Sequence, residues 1–113
     1  MSKGTKGPTF RGGITEMMRY ANRIQQKLAE MKEAVKEQHF EAASGGGRVS
    51  ATVSGERKVV KVSIDREKAN LEDLAEIEDL VVAAINMALD KADEHIKEES
   101  RKITGGMDLP GLF

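Results

Sequence analysis

Hydrophobic positions in this chain fall into two helical patterns with a short alternating pattern between them. In the first, Met17, Ala21, Ile24, Leu28, Met31 and Val35 recur at steps of four, three, four, three and four. Residues at that spacing share one face of a helix, so Ile14 to Glu37 is predicted to be amphipathic with a heptad seam. Met17, Met18 and Met31 read as adaptable seam fillers. The period then changes to two. Val49, Ala51 and Val53, and later Val60, Val62 and Ile64, alternate with Ser50, Thr52, Ser54, Lys61 and Ser63. This predicts strands over Arg48–Ser54 and Lys58–Ile64, each with one covered and one wet face, turning at Gly55-Glu56. Gln38–Ser44, with Phe40, Ala42 and Ala43, is a short first strand or a frayed helical extension. The sheet is therefore a hairpin, or a three-stranded meander if Gln38–Ser44 pairs as well. Gly45-Gly46-Gly47 punctuates the chain before the alternation begins.

Beyond the alternation, Asp65 ends the last strand and can cap a turn over Arg66–Ala69. Asn70 is predicted to cap the second long helix, with Glu72 and Asp73 in its first turn, where the positive end of the helix dipole favours acids. The apolar stripe of this helix is Leu74, Ile77, Val81, Ala84, Ile85, Ala88, Leu89, Ala92 and Ile96, with Ile103 near the end. Gly105-Gly106 stops it. The expected organisation is a mobile basic tail over residues 1–13, one α-β-β-β-α domain over 14–106, and a short C-terminal tail over 107–113 able to dock. The fold class is α+β. Two long helices on one small sheet make a thin core, so a second copy is expected to complete it.

Composition narrows the function classes. A chain of 113 residues is one domain by default. The absence of cysteine removes disulfides, thiolate metal sites and thiol nucleophiles, and suits a reducing cytosol. The first residues carry Lys3, Lys6 and Arg11 without an apolar run, so no secretory signal is read there. No stretch approaches the roughly 18 apolar residues of a membrane span, so no membrane partner is expected. Three phenylalanines and one tyrosine are too few for a base-stacking platform.

Metal and cofactor chemistry lacks candidates. His39 and His95 stand apart, neither with a second histidine or a cysteine at ligand spacing, and His95 beside Glu94 and Glu98 reads as a solvated residue. The glycine run is not a phosphate loop, because no Lys-Ser/Thr follows and it opens a strand. Glu76, Glu78 and Asp79 join Glu72 and Asp73 in a solvated acidic face. Ser44, Ser50, Ser54 and Ser63 follow strand alternation and have no base partner in view. The chain is accordingly read as no enzyme, with no cofactor and no small-molecule substrate.

Several blocks resemble the YbaB/EbfC family of bacterial nucleoid-associated proteins. They are Ala43-Ser44-Gly45-Gly46-Gly47-Arg48-Val49-Ser50-Ala51-Thr52-Val53-Ser54-Gly55; Val60-Lys61-Val62-Ser63-Ile64-Asp65; Glu78-Asp79-Leu80-Val81-Val82-Ala83-Ala84-Ile85-Asn86 with Ala88 and Lys91; and Gly105-Gly106-Met107 with Leu109-Pro110-Gly111. They stand in family order and cover most of the chain outside the N-terminal tail. Arg66 follows Asp65 where many relatives have proline, and Met87 follows Asn86 where an acid is common. The resemblance implies a helix–strand–strand–strand–helix protomer and a homodimer with projecting helical arms. It also implies duplex DNA binding with relaxed sequence preference, a cytoplasmic, nucleoid-associated location, and a role in nucleoid organisation or gene regulation. It carries no DNA-contact motif to place on particular residues.

Charge supplies a physical candidate. The net charge is −1, but residues 1–36 hold eight basic and three acidic groups, whereas residues 65–113 hold six basic and thirteen acidic groups. On the first helix, Arg19, Arg23 and Lys27 recur at steps of four as a basic stripe beside the seam, and Lys32 and Lys36 extend basic charge toward its end. A helix of about 23 residues is roughly 35 Å long, close to a turn of B-DNA at roughly 34 Å. DNA contact is thus expected at Arg19, Arg23 and Lys27, assisted by Lys3, Lys6 and Arg11 from the tail, through phosphates and not bases. Lys91, Lys97, Arg101 and Lys102 on the second helix are the fallback. Two other readings stand beside this one. The stripe is an ordinary solvated face with Glu30 and Glu33 as intrahelical partners, or the seam belongs to a coiled-coil-type protein-interaction module without intrinsic DNA binding.

Overall fold

A computed structural model describes residues 13–105 of the chain. The predicted basic tail, apart from Gly13, and the predicted C-terminal tail lie outside the described residues. The element order is α1 (Ile14–Val35), β1 (His39–Ser44), β2 (Val49–Ser54), β3 (Val59–Ile64) and α2 (Leu74–Thr104). Of the segment Gln38–Ser44, His39–Ser44 thus forms a strand, and the sheet is an antiparallel meander in the order β1-β2-β3.

Register explains where the core sits. Phe40 pairs with Val53, Ala42 with Ala51 and Ser44 with Val49, so these residues share one face of the sheet. α2 lies across β1 and β2 on that face and scarcely reaches β3. Val53 and Ala42 pack with Ala88 and Ala92, and Val49 and Ala51 with Ala84. The alanines on α2 permit this close approach. Phe40, Leu80, Val81, Ile85 and Leu89 close the margins.

β3 departs from the predicted alternation. Val62 pairs with Ala51 and Ile64 with Val49, and a bulge at Thr52/Val53 brings Val59 opposite Val53. These side chains share the α2 side of the sheet, yet Val59, Val62 and Ile64 are 37–50% exposed. The reason is geometric: the helix that buries β2 does not cover the next strand.

The connections are fixed by short-range chemistry. All three glycines of Gly45–Gly47 have positive φ, at 60°, 65° and 91°, and form a single 3-10 turn between β1 and β2. Arg48 Nε donates to the Gly45 carbonyl at 2.7 Å, and its guanidinium pairs with Glu76 in the first turn of α2. Asp65 Oδ1 accepts from Glu67 and Lys68 N–H, as its predicted capping role requires. The cap of α2 differs from expectation. Asn70 Oδ1 accepts from Glu72 N–H in its own turn, and Asp73 caps the helix by accepting from Glu76 N–H at 3.1 Å. The helix therefore starts three residues later than an Asn70 cap would place it. Its end at Gly105, with φ 68°, agrees with expectation.

α1 and the C-terminal half of α2 form an arm beyond the sheet. Val35 at the base of α1 abuts the β2–β3 turn, while Ile96 lines a cleft with Ala29, Lys32, Glu33 and Lys36. α1 and α2 pack against each other along the arm, and Ile24 and Leu28 of α1 and Ser100 and Thr104 of α2 are all buried. Ser100 is only 1% exposed, and its hydroxyl has no hydrogen-bond partner among the described residues. A buried, unsatisfied hydroxyl is destabilising, so Ser100→Ala is expected to raise stability by about 1 kcal/mol in urea denaturation.

Candidate nucleic-acid interface

The arm carries the predicted basic stripe. Arg19, Arg23 and Lys27 all project from exposed positions on one flank of α1. The seam residues Ile24 and Leu28 hold the opposite edge of this flank against α2, so the helix is oriented by its apolar side and its cations stay hydrated. Arg19 makes a 3.4 Å pair with Glu16 while remaining 67% exposed. Pairs so exposed contribute little and leave the guanidinium available. Arg23 and Lys27 make no ion pair among the described residues. Glu30 and Glu33 take none of the three cations, which disfavours the reading of this stripe as an intrahelical ion-pair ladder.

Lys32 and Lys36 do not extend the stripe. Lys32 follows Arg23 by nine residues, half a turn away around the helix at about 100° per residue. Both line the cleft facing Gly55, Glu56 and Ile96, and Lys36 approaches Glu56 at 4.0 Å. Lys3, Lys6 and Arg11 lie outside the described residues.

The fallback cations on α2 are mostly engaged. Lys91 Nζ donates to the Glu41 carbonyl at 2.7 Å, tying α2 to β1. Arg101 pairs with Glu98 at 2.8 Å and Lys102 with Glu99 at 2.9 Å. The hydrogen bond and charge of Lys102 hold the Glu99 carboxyl below the ordinary carboxylate range, and Glu99 raises the Lys102 ammonium in return. Arg57, in the β2–β3 turn with φ 69°, pairs with Asp93, whose hydrogen bond and charge raise the guanidinium further. Arg101 and Lys102 thus sit beside acids of their own helix, as Arg19 sits beside Glu16, whereas Arg23 and Lys27 enter no ion pair among the described residues.

No group of three or more His, Asp or Glu side chains that could hold a metal occurs among the described residues. His39 and His95 sit on different elements, and the His95 ring lies 5.4 Å from that of Phe40. No described helix is long and apolar enough to cross a membrane.

Two surfaces are not evident from the sequence. One is the β3 shelf, flanked by α2. Ser44 Oγ donates to the Leu80 carbonyl and Lys91 reaches Glu41, so that flank of α2 lies over β1. The opposite flank, toward β3, carries Val82, Ile85 and Leu89, with Val82 exposed. The other surface is the tip of α1, where Ile14, Met17 and Met18 are exposed. Comparing where the two helices end could have revealed it, because the seam of α1 continues past the last turn of α2.

The family model for YbaB/EbfC DNA-binding proteins matches residues 11–107. A nucleoid-associated protein of Caldanaerobacter subterraneus subsp. tengcongensis is 41% identical over 106 residues, covering 92% of this chain and 96% of that protein. A nucleoid-associated protein of Clostridium acetobutylicum is 35% identical over 112 residues, covering 99% and 100%. The crystal structure of an uncharacterised Helicobacter pylori protein shares the fold, with a TM-score of 0.67 over 80% of this chain and 96% of that one, at 21% identity. Since the match spans both helices and the whole sheet, and the kinship extends nearly end to end, the chain belongs to the YbaB/EbfC DNA-binding family, which is defined by binding DNA and not by a catalysed reaction.

Proposed function

We propose that the protein binds duplex DNA as a homodimer, mainly through phosphate contacts with little sequence preference, and in this way organises the nucleoid or regulates expression. The observation that carries this reading is the exposed stripe of Arg19, Arg23 and Lys27 on a projecting arm. α1 has 22 residues and is about 33 Å long, so the stripe can follow a phosphate backbone over part of a helical turn. Its side chains are cations on a convex helix face, which suits contact with the phosphate backbone more than base readout. The tail residues Lys3, Lys6 and Arg11 add charge at the same end of the sequence.

Three cations on each of two protomers would neutralise six phosphates. The logarithm of the affinity should then fall against the logarithm of salt with a slope of about −5. Gel shifts between roughly 50 and 200 mM salt are expected to show a loss of about 10³-fold. A flat salt response would remove the phosphate reading.

The homodimer is supported by the β3 shelf. Val59, Val62 and Ile64 with Val82 leave an apolar strip beside an unpaired strand edge, the kind of surface that a second sheet or helix covers. Val62→Asp is expected to convert the dimer to a monomer in light scattering while preserving helix content, because Val62 is exposed within a protomer. A dimer that survives this change would place the interface elsewhere.

The exposed tip of the α1 seam favours a second reading, in which the arm holds a helical protein partner. Titration with duplex DNA at low salt separates the two: no complex at any protein concentration supports the interaction module instead.

A further inference from the structure

α1 carries a second lengthwise strip beside the seam that faces α2. Ile14, Met18, Ala21, Gln25, Ala29 and Lys32 recur at steps of four, three, four, four and three. At about 100° per residue they fall within about 80° of one another around the helix, next to the buried line of Ile24, Leu28 and Val35. All six are exposed, Ile14 at 74% and Met18 at 60%. Toward the base of the arm the strip enters the cleft that Ala29, Lys32 and Lys36 line together with Gly55, Glu56 and Ile96.

The strip is symmetric about Gln25. Ala21 and Ala29 stand at equal distances to either side of it, as do Met18 and Lys32, and Ile14 and Lys36. A two-fold contact requires this kind of self-complementary surface, in which one residue meets a second and the second meets the first. With two copies of α1 antiparallel and the axis at Gln25, Ala21 faces Ala29 and the helices can approach closely. Gln25 meets Gln25, and an amide both donates and accepts. Met18 and Ile14 of one copy lie over the aliphatic stems of Lys32 and Lys36 in the cleft of the other. No lysine then faces a lysine. A parallel pair would set Lys32 against Lys32 and Lys36 against Lys36, a like-charge conflict. Symmetry therefore selects a second copy as the occupant, and charge selects its direction.

We propose that the α1 arms of two copies pair antiparallel along this strip, with Gln25 at the two-fold axis. Ile14 and Met18 are its only large apolar groups, so the contact is small and forms at high local concentration. Arg19, Arg23 and Lys27 lie about 120° or more around the helix from the centre of the strip and stay open. The pairing uses neither the β3 shelf nor the basic stripe, and its test reads the protein without DNA.

The chain has no cysteine, so single thiols report this geometry directly. Gln25→Cys in the full chain should form a disulfide-linked dimer under mild oxidation at high protein concentration, because residues at the axis of two close-packed helices come within disulfide reach. Gln26→Cys, exposed but turned away from the strip, should stay largely unlinked on a denaturing gel. Ala21→Cys and Ala29→Cys should each link poorly alone and readily when mixed. Adding Ala21→Glu and Ala29→Glu to Gln25→Cys should reduce linking to the Gln26→Cys level, whereas Ala21→Glu with Ala29→Lys should restore it. Linking of Gln25→Cys no faster than Gln26→Cys would overturn the proposal. So would ready self-linking of Ala21→Cys, which marks a parallel pair, or linking of Gln25→Cys that ignores the charge changes at positions 21 and 29.

Discussion

Gly55→Ala is expected to destabilise the protein by about 3 kcal/mol, on the scale of a severe overpacking defect. A Cβ at this position would stand 2.0 Å from the Val35 carbonyl oxygen and 2.6 Å from Val35 Cγ1. Neither neighbour can yield cheaply. Val35 is buried at the base of α1, and Gly55 itself is pinned by donating its N–H to the Gln38 carbonyl at 3.0 Å. The new methyl must therefore push α1 away from the β2–β3 turn. Gly46→Ala is the informative contrast. It has open space around its Cβ position but a φ of 65°, so only the left-handed backbone penalty of about 1 kcal/mol applies. Urea denaturation of both variants at matched protein concentration checks the pair. Faster amide exchange along α1 in Gly55→Ala would identify the detached arm as the source of the loss.

Reversing the stripe, with Arg19→Glu, Arg23→Glu and Lys27→Glu together, is expected to abolish detectable duplex binding at about 0.1 M salt, a loss beyond about 10³-fold. Each substitution removes one phosphate partner and adds one repulsion. The fold should survive. All three side chains are exposed, and glutamate is a good helix former. Arg19→Glu replaces the pair with Glu16 by a like-charge repulsion at i, i+3, which costs a few tenths of a kcal/mol. Sizing should therefore give the same assembly as the parent chain, which separates a lost DNA contact from a lost structure. Retained binding would move the contact to the N-terminal cations or to Lys97, a fallback cation of α2 with neither an ion pair nor a hydrogen bond to tie it among the described residues.

Much of this architecture was legible in the chain because it is local. The 3.6-residue period of α1 and α2, the two-residue period of β2, the Asp65 turn and the Gly105 stop all follow from residues within a few positions of one another. What was not legible depends on distant partners. Gly55 looks like an ordinary turn glycine, and only the approach of the Val35 carbonyl gives it a stricter role. Asn70 and Asp73 are both good caps. The choice between them was settled by Asn70 closing its own turn, and Arg48 reinforces the Asp73 start by pairing with Glu76 across 28 residues.

The site was partly legible for the same reason. Steps of four put Arg19, Arg23 and Lys27 on one flank, and the structure keeps them there. Lys32 and Lys36 also looked continuous in the sequence, but helical rotation turns them to the cleft beside Glu56. The exposure of β3 could not be read from its alternation. A strand records which of its faces is apolar, not how far a helix later in the chain extends over it.

The central claim is that the α1 stripe itself supplies the phosphate contacts. The measurement that tests it most directly is the salt dependence of duplex affinity for the parent chain and for a neutralised variant, Arg19→Gln, Arg23→Gln and Lys27→Gln, over one salt series. The account predicts that the variant remains a folded assembly and that its log–log slope is shallower than the parent's by about 5, the loss of six phosphate contacts. An unchanged slope, with the variant still folded, would contradict it.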